Sequence, residues 1–194
     1  LDCPGSVELL QESLFVLQGV DAAVVVCEPD SDKAQALAPL LHRLDALGIP
    51  HMLFVNKIDK ATITVQALLE ALQPISTKPL VLRHIPVQKD EEITGYIDLA
   101  SQRAYHYQPG QASEVVELPG NEEDAFGEAR YTMLEALADF DDDLMEKVLE
   151  DITPEKDELY ANLTMDFRDG NIIPVFLGAA EQGGGVFRLL KALR

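Results

Sequence analysis

Asn56-Lys57-Ile58-Asp59 directly follows the apolar run Met52-Leu53-Phe54-Val55, and its polar side chains suit one task, the holding of a planar ring edge. An ionised carboxylate accepts and never donates, so Asp59 matches an edge with two adjacent N–H groups, as guanine has at N1 and its exocyclic amine; adenine has no such edge. Lys57 can lay its aliphatic stem along a purine face, and Asn56, donor and acceptor at once, can tie neighbouring loops around the base. Asp2-Cys3-Pro4-Gly5 has the pattern D-x-x-G. A carboxylate at a strand end can hold Mg²⁺ through water, and Gly5 would let its N–H approach a terminal phosphate oxygen with no Cβ in the way. Gly178-Ala179-Ala180 follows a further apolar run, and small residues there would let backbone N–H groups reach guanine O6.

Several elements must position these residues. Leu10, Leu14 and Leu17 are spaced as in a helix over residues 7–18, Gly19 stops it, and Ala22-Ala23-Val24-Val25-Val26 has the continuous apolar character of a buried strand. A second helix is expected over 33–47, punctuated by Gly48 and Pro50, before a strand over 51–55. Right-handed crossovers then predict an α/β fold with a doubly wound, mostly parallel sheet and ligands at the strands' C-terminal ends. Asn56 lies at such an end, and Asp2 does too if Leu1 closes a strand. A helix over 64–72 follows, after which the pattern changes. Strand-like segments at 81–87, 94–99, 103–107 and 115–118 suggest an antiparallel meander, and acidic helices are expected over 122–139, 142–151 and 154–168. Asp169-Gly170-Asn171 marks a boundary. The run 172–177 is strand-like, although Pro174 counts against a central place in a sheet unless it lies near the strand's start or at a bulge. Gly183-Gly184-Gly185 then leads to a closing helix over 186–193. The expected organisation is one α/β unit from 1–73 and 171–194, with 74–170 inserted as an α+β subdomain.

Composition narrows the function. With 34 Asp and Glu against 15 Lys and Arg, the formal net charge is −19, which argues against a direct grip on nucleic-acid phosphates by this segment. The acid concentrates between residues 114 and 158, as a solvated helix surface or as a docking face for a basic partner. Cys3 and Cys27 are too few for a disulfide framework and form no C-x-x-C, which favours a reducing compartment, and Cys27 at a strand end is expected in the core. No apolar stretch approaches the roughly 18 residues of a membrane span, and no leader pattern opens the chain, so a cytoplasmic location with no membrane partner is expected. Leu1-Asp2 has no initiator Met before it, which suggests a fragment of something longer. His42, His51, His84 and His106 show no ligand spacing and are assigned neither to a metal nor to catalysis.

Taken in order, Leu1-Asp2-Cys3-Pro4-Gly5-Ser6-Val7-Glu8 resembles the D-T-P-G-H-V-D signature of translational GTPases, and Gly95-Tyr96-Ile97-Asp98-Leu99 resembles the insertion of elongation factor G. The resemblance covers essentially all 194 residues. It implies a P-loop GTPase-like domain, truncated at its N-terminus, that uses GTP/GDP and Mg²⁺ and acts on the ribosome. By position, Asp2 would be the carboxylate on the Mg²⁺ side and Gly5 the γ-phosphate sensor. Asn56, Lys57 and Asp59 would read guanine with the help of Gly178, Ala179 and Ala180. The acidic insertion would face the ribosomal stalk protein. Two positions depart from the pattern. Ser6 stands where the family has the His that positions the attacking water, and its short, uncharged hydroxyl cannot take the same geometry. Ala179 stands where Ser is usual. In addition, no Gly in the chain is followed by Lys, so a G-x-x-x-x-G-K-[ST] phosphate cradle is absent from it. The isolated segment is therefore expected to be inactive. Alternatives are a ribosomal protection or release-type GTPase, or a GTP-dependent binding module with little turnover.

Overall fold

The computed structural model describes residues 1–3, 15–61, 63–89, 92–108 and 110–193. Through these the chain runs as β1 (Ala23–Cys27), α1 (Ser31–Ala34), α2 (Ala38–Ala46), β2 (His51–Val55), α3 (Val65–Leu72), β3 (Leu80–Leu82), β4 (His84–Lys89), β5 (Glu92–Asp98), β6 (Arg103–His106), β7 (Glu114–Val116), α4 (Glu123–Ala138), α5 (Asp142–Leu149), α6 (Lys156–Asp169), β8 (Ile173–Leu177) and α7 (Val186–Ala192). Two sheets result. One is parallel, in the order β1-β2-β8-β3, and the other is antiparallel, in the order β4-β5-β6-β7.

Every residue of β2 and β8 is buried, which is why both segments are apolar without alternation. Leu53, Val55, Val175 and Leu177 meet Leu41 and Leu44 of α2 and Leu68 and Leu72 of α3 on one face. Met52, Phe54 and Phe176 meet Phe167 of α6 and Val186 and Leu189 of α7 on the other. The sheet is therefore covered on both sides, as the doubly wound expectation required. The start of α3 is fixed locally by Thr64, whose hydroxyl accepts from the Ala67 N–H at 3.1 Å.

Three sequence expectations need correction. The single helix expected over 33–47 is broken into α1, a 3₁₀ turn and α2. Pro39 has no N–H to donate and sits in the first turn of α2, where none is needed. The single strand expected over 81–87 is two strands in different sheets. The Arg83 N–H donates to Val175 O at 2.9 Å, continuing the parallel ladder, while the Arg83 carbonyl accepts from the Leu99 N–H at 3.0 Å in the antiparallel region. Leu1–Cys3 are exposed and lie outside any strand, so Leu1 does not close one. Most of the helix expected over 7–18 lies outside the described residues. Pro174, by contrast, is accommodated in a central strand because pairing of β2 with β8 begins only at Leu53 and Val175. On the β3 side, Ile173 supplies the N–H, to Pro79 O at 3.0 Å.

The antiparallel sheet uses its two faces for different neighbours. Ile85, Ile97, Leu99 and Ala104 pack with Met133 and Leu137 of α4, Leu144 of α5, and Leu159 and Leu163 of α6. Tyr96, between Gly95 and Ile97 on β5, joins the core of the parallel unit instead. Asp98 closes this junction. Its Oδ1 accepts from the Ala100 N–H at 3.0 Å and the Ser101 N–H at 2.9 Å, and its Oδ2 lies 2.5 Å from the Arg188 guanidinium of α7. Arg83 and His84 are 3.9 Å and 3.8 Å away. Burial by itself would raise the Asp98 carboxyl, but His84, Arg83 and Arg188 outweigh it and hold the group below the usual carboxylate range. His84 is fully buried, and burial pushes its imidazole towards the neutral form.

A depressed carboxyl stabilises the fold above its unfolded pKa and loses that contribution as the pH falls through its folded value. Denaturant titrations of the protein should thus show the Asp98 contribution intact at neutral pH and fading only below about pH 4, the ordinary range of an unfolded Asp. Asp98→Ala, which strands two buried guanidinium groups, is expected to cost about 3–5 kcal/mol at pH 7, and a loss under 1 kcal/mol would count against the buried ion cluster as a tie between the sheets.

Candidate functional site

The loops expected to carry chemistry begin at one level because the parallel strands end in register. Cys27 pairs with Val55, and Val55 pairs with Leu177. The ladder continues past the strand ends: the Asn56 N–H donates to Cys27 O at 2.8 Å, the Gly178 N–H to Val55 O at 2.9 Å, and the Ile58 N–H to Gly178 O at 3.1 Å. Asn56 then joins two loops that lie 124 residues apart, its Oδ1 accepting from the Ala180 N–H at 2.9 Å. Asp59, half-buried in the following 3₁₀ turn, receives the Gln182 side-chain amide at 3.3 Å. Lys60 pairs with Glu181 at 2.8 Å. Asn56, Asp59 and the 178–180 loop thus come together.

The small residues of the second loop are required by crowding. A Cβ on Gly178 would lie 2.2 Å from Phe54 Cζ, and one on Gly185 would lie 2.4 Å from Leu177 O at a φ of +78°. Ala179 and Gly184 exchange backbone hydrogen bonds, both of 3.0 Å, and so form a narrow antiparallel clasp. The N–H groups expected to be open to a ligand are consequently engaged within the protein. That of Ala179 is buried and committed to Gly184. That of Ala180 is at the exposed edge, where its Asn56 partner can be exchanged for another acceptor.

Lys57 adopts the left-handed conformation, φ +60°, at the start of the 3₁₀ turn. Its ammonium bonds Glu28, which follows the end of β1 and also receives Lys33 at 2.5 Å. The hydrogen bond from Lys33, then that from Lys57, lowers the Glu28 carboxyl to about 2. Sequence reasoning missed Glu28, although its place just beyond a buried strand, level with Asn56, was an available signal. Glu28, Lys33, Asn56 and Lys57 are among the residues lining a cleft of about 470 Å³, with Leu37 and Leu68 among its apolar walls, while Asp59 and residues 178–180 are not part of its lining. Cys27 also borders it, and burial raises its thiol to about 12, which removes it as a nucleophile at neutral pH.

Asp2 lies in the exposed segment Leu1–Cys3. Gly5 and Ser6 lie outside the described residues. Among the described residues, no group of three or more His, Cys, Asp or Glu side chains comes together to hold a metal ion, and no helix is long and apolar enough to cross a membrane.

A doubly wound parallel sheet joined to a separate antiparallel sheet is consistent with a GTP-binding domain that carries an inserted subdomain. The chain belongs to the family of the elongation factor Tu GTP binding domain, whose model matches residues 1–194. It is 45% identical over 193 residues to an elongation factor G-like protein of Synechocystis sp. (strain ATCC 27184 / PCC 6803 / Kazusa), covering 100% of this chain and 29% of that protein. It is 30% identical over 198 residues to elongation factor G of Rhodopirellula baltica (strain DSM 10527 / NCIMB 13988 / SH1), covering 100% of this chain and 28% of that one. Among solved structures, a protein from Thermus thermophilus superposes with a TM-score of 0.83 at 29% identity, over 100% of this chain and 29% of that chain. The chain thus spans less than a third of the length of these relatives.

The crowding at Gly178 makes a direct prediction. Gly178→Ala should destabilise the fold by about 1–3 kcal/mol, the usual cost of forcing an extra methyl into a packed site. Chemical denaturation measures this, and an unchanged midpoint would mean that Phe54 can move aside at no cost.

Proposed function

We propose that this chain is part of the GTP-binding domain of an elongation factor G-like translation factor that acts on the ribosome. The observation that carries the proposal is the meeting of Asn56, Asp59 and Ala180 at the C-terminal ends of two adjacent parallel strands. These residues fit a guanine base: an acceptor-only carboxylate for N1–H and the 2-amino group, beside a backbone N–H able to exchange Asn56 for O6. Lys57, held by Glu28, would lay its aliphatic stem along the purine face. Gly178 and Ala179 serve by letting the backbone pass close to Phe54 and Gly184.

The phosphate side is assigned differently. The chain lacks G-x-x-x-x-G-K-[ST], so we assign the phosphate cradle to a part of the intact protein outside these residues and expect the isolated segment to be inactive. In the same proposal, Asp2 takes the Mg²⁺ side, reaching the ion through water, and Gly5 senses the γ-phosphate. Mg²⁺ would supply charge neutralisation between the phosphates. Ser6 holds the place of the family's water-positioning His, and this favours a second reading, a GTP-dependent binding module with little turnover. Ribosomal protection or release-type activity fits the same site.

The proposed organisation is a GTP-binding unit from 1–73 and 171–194 and an inserted subdomain from 74–170, with β3 of the latter range lent to the parallel sheet. Its acidic helices suit a basic surface, for which the ribosomal stalk protein is the proposed partner. The same acidity supports a role without a direct grip on nucleic acid, and a cytoplasmic location without a membrane partner accompanies this function.

The decisive experiment is a nucleotide titration of the full-length protein carrying Asp59→Asn. An amide offers one donor and one acceptor, matching xanthine at C2 and N1, so affinity should fall by roughly 100- to 1000-fold for GTP, two charge-assisted hydrogen bonds' worth, and rise for XTP. An unchanged preference for GTP over XTP would remove Asp59 from the base site.

A further inference from the structure

The clasp between Ala179 and Gly184 is held from two sides. Asn56 holds Ala180 from the parallel sheet. On the other side stands Tyr107, the residue just after β6, whose backbone N–H is fixed to Thr94 O at 2.9 Å. The Gly184 Cα rests on the flat of its ring: a Cβ there would lie 2.8 Å from Cδ1, 2.9 Å from Cε1 and 3.1 Å from Cγ. No side chain larger than hydrogen fits, so the ring and the clasp are in direct contact. Tyr107 is backed in turn by Tyr96 at 5.8 Å between ring centroids, and Tyr96 stacks on Tyr105 at 5.0 Å. The platform therefore rests on the antiparallel sheet. Burial, then Tyr96 and Asp59, push the Tyr107 phenol upward. Its hydroxyl is buried without a hydrogen-bond partner among the described residues, so the ring face, not the hydroxyl, makes the contact that matters.

We propose that Tyr107 is a positioning residue for base recognition: its ring fixes the height of the Ala179–Gly184 clasp, and so places the Ala180 N–H for the base's 6-oxygen. Selectivity at one edge of the purine is then set by the antiparallel sheet. This rests on the guanine reading of the Asn56–Asp59 loop. Asp59, on the other loop, reads the amine at C2 and meets the clasp only through the exposed Gln182 side chain, so the two edges can be separated.

The test measures dissociation constants of the full-length protein for GDP, for inosine diphosphate, which lacks the 2-amino group, and for 2-aminopurine riboside diphosphate, which lacks O6 and the N1 proton; the loss at N1 weighs equally on the wild type and the Tyr107 variants, so a change in that ratio between them reports O6. Tyr107→Ala is expected to reduce the preference for GDP over the aminopurine nucleotide by about tenfold, roughly one hydrogen bond, while the preference over inosine diphosphate is unchanged. Tyr107→Phe should match the wild type. Gly184→Ala should reproduce the loss, and Tyr107→Ala in that background should partly relieve it, because the added methyl then meets no ring. A merely structural role would lower all three affinities together and leave the ratios alone. If Tyr107→Ala does not fold, Tyr107→Leu carries the same readout, since it keeps apolar bulk without a flat face. Unchanged discrimination at C6 in the Tyr107 variants and in Gly184→Ala, or its loss in Tyr107→Phe, would overturn the proposal. A wild-type protein that prefers GDP over neither analogue would instead overturn the guanine reading itself.

Discussion

The common stopping level of β1, β2 and β8 is the constraint on which the site depends. Parallel register sets Cys27, Val55 and Leu177 side by side, so residues 28, 56 and 178 leave the sheet together, and the backbone bonds of Asn56 and Gly178 extend the ladder one step beyond it. A shift of one residue in either pairing would send each side chain of a fully buried strand to the opposite face, into packing shaped for its neighbour. The packing of Leu53 and Val55 against α2 and α3, and of Met52 and Phe54 against α6 and α7, therefore fixes the register. Burial of the sheet and placement of Asn56 beside Ala180 are the same geometrical fact.

The antiparallel sheet is bound to this edge by two kinds of contact. Tyr96 and Tyr107 bring apolar area to the parallel unit's core, while Asp98, Arg83 and Arg188 bring charge to a buried place. An ion cluster of this kind gains little net stability over an apolar seam, since desolvation offsets most of the attraction. Its effect is directional. Asp98 accepts from two backbone N–H groups of its own turn as well as facing α7, so the seam has one favoured arrangement, whereas tyrosine rings alone tolerate sliding. His84 extends the fixed arrangement to β8: the Leu177 N–H donates to its Nδ1 at 3.4 Å, one residue before the 178–180 loop.

Elements buried on both faces were legible in the sequence, because continuous apolar character survives without knowledge of neighbours; the expected bounds of β2 match the observed strand. The joint order of Asn56-Lys57-Ile58-Asp59 and Gly178-Ala179-Ala180, each after such a strand, placed them at one edge for the same reason. Pro39, inside the helix expected over 33–47, was an available signal of the break. Arg83 could not be read, because a residue that donates to one sheet and accepts from another has no pattern in one dimension. The place of Glu28 was an available signal, but its pairing, like those of Asp98 and Tyr107, was hidden in the same way. Their partners lie 29, 90 and 77 residues away at Lys57, Arg188 and Gly184, and neither spacing nor composition encodes such pairings. Asp2 kept its motif in sequence but is exposed, outside any strand, and Gly5 and Ser6 lie beyond the described residues.

Charge follows the same division between joining and presenting. Lys57 with Glu28, Lys60 with Glu181, Lys78 with Asp45 and Arg188 with Asp98 all join segments distant in sequence. Cations used in this way are not spread over the surface to balance acid, and the chain as a whole has 34 acidic against 15 basic residues. Acidic residues in the first turns of α4, α5 and α6 complement the helix dipoles, so the acid there is locally stabilising and need not be neutralised by neighbours. Acid is thus gathered on the helical side of the antiparallel sheet, the side away from Tyr96 and Tyr107. At physiological ionic strength its field decays over about 8 Å. Under the proposed function it would act on what docks against those helices, a task separate from the one proposed for the Asn56–Ala180 edge.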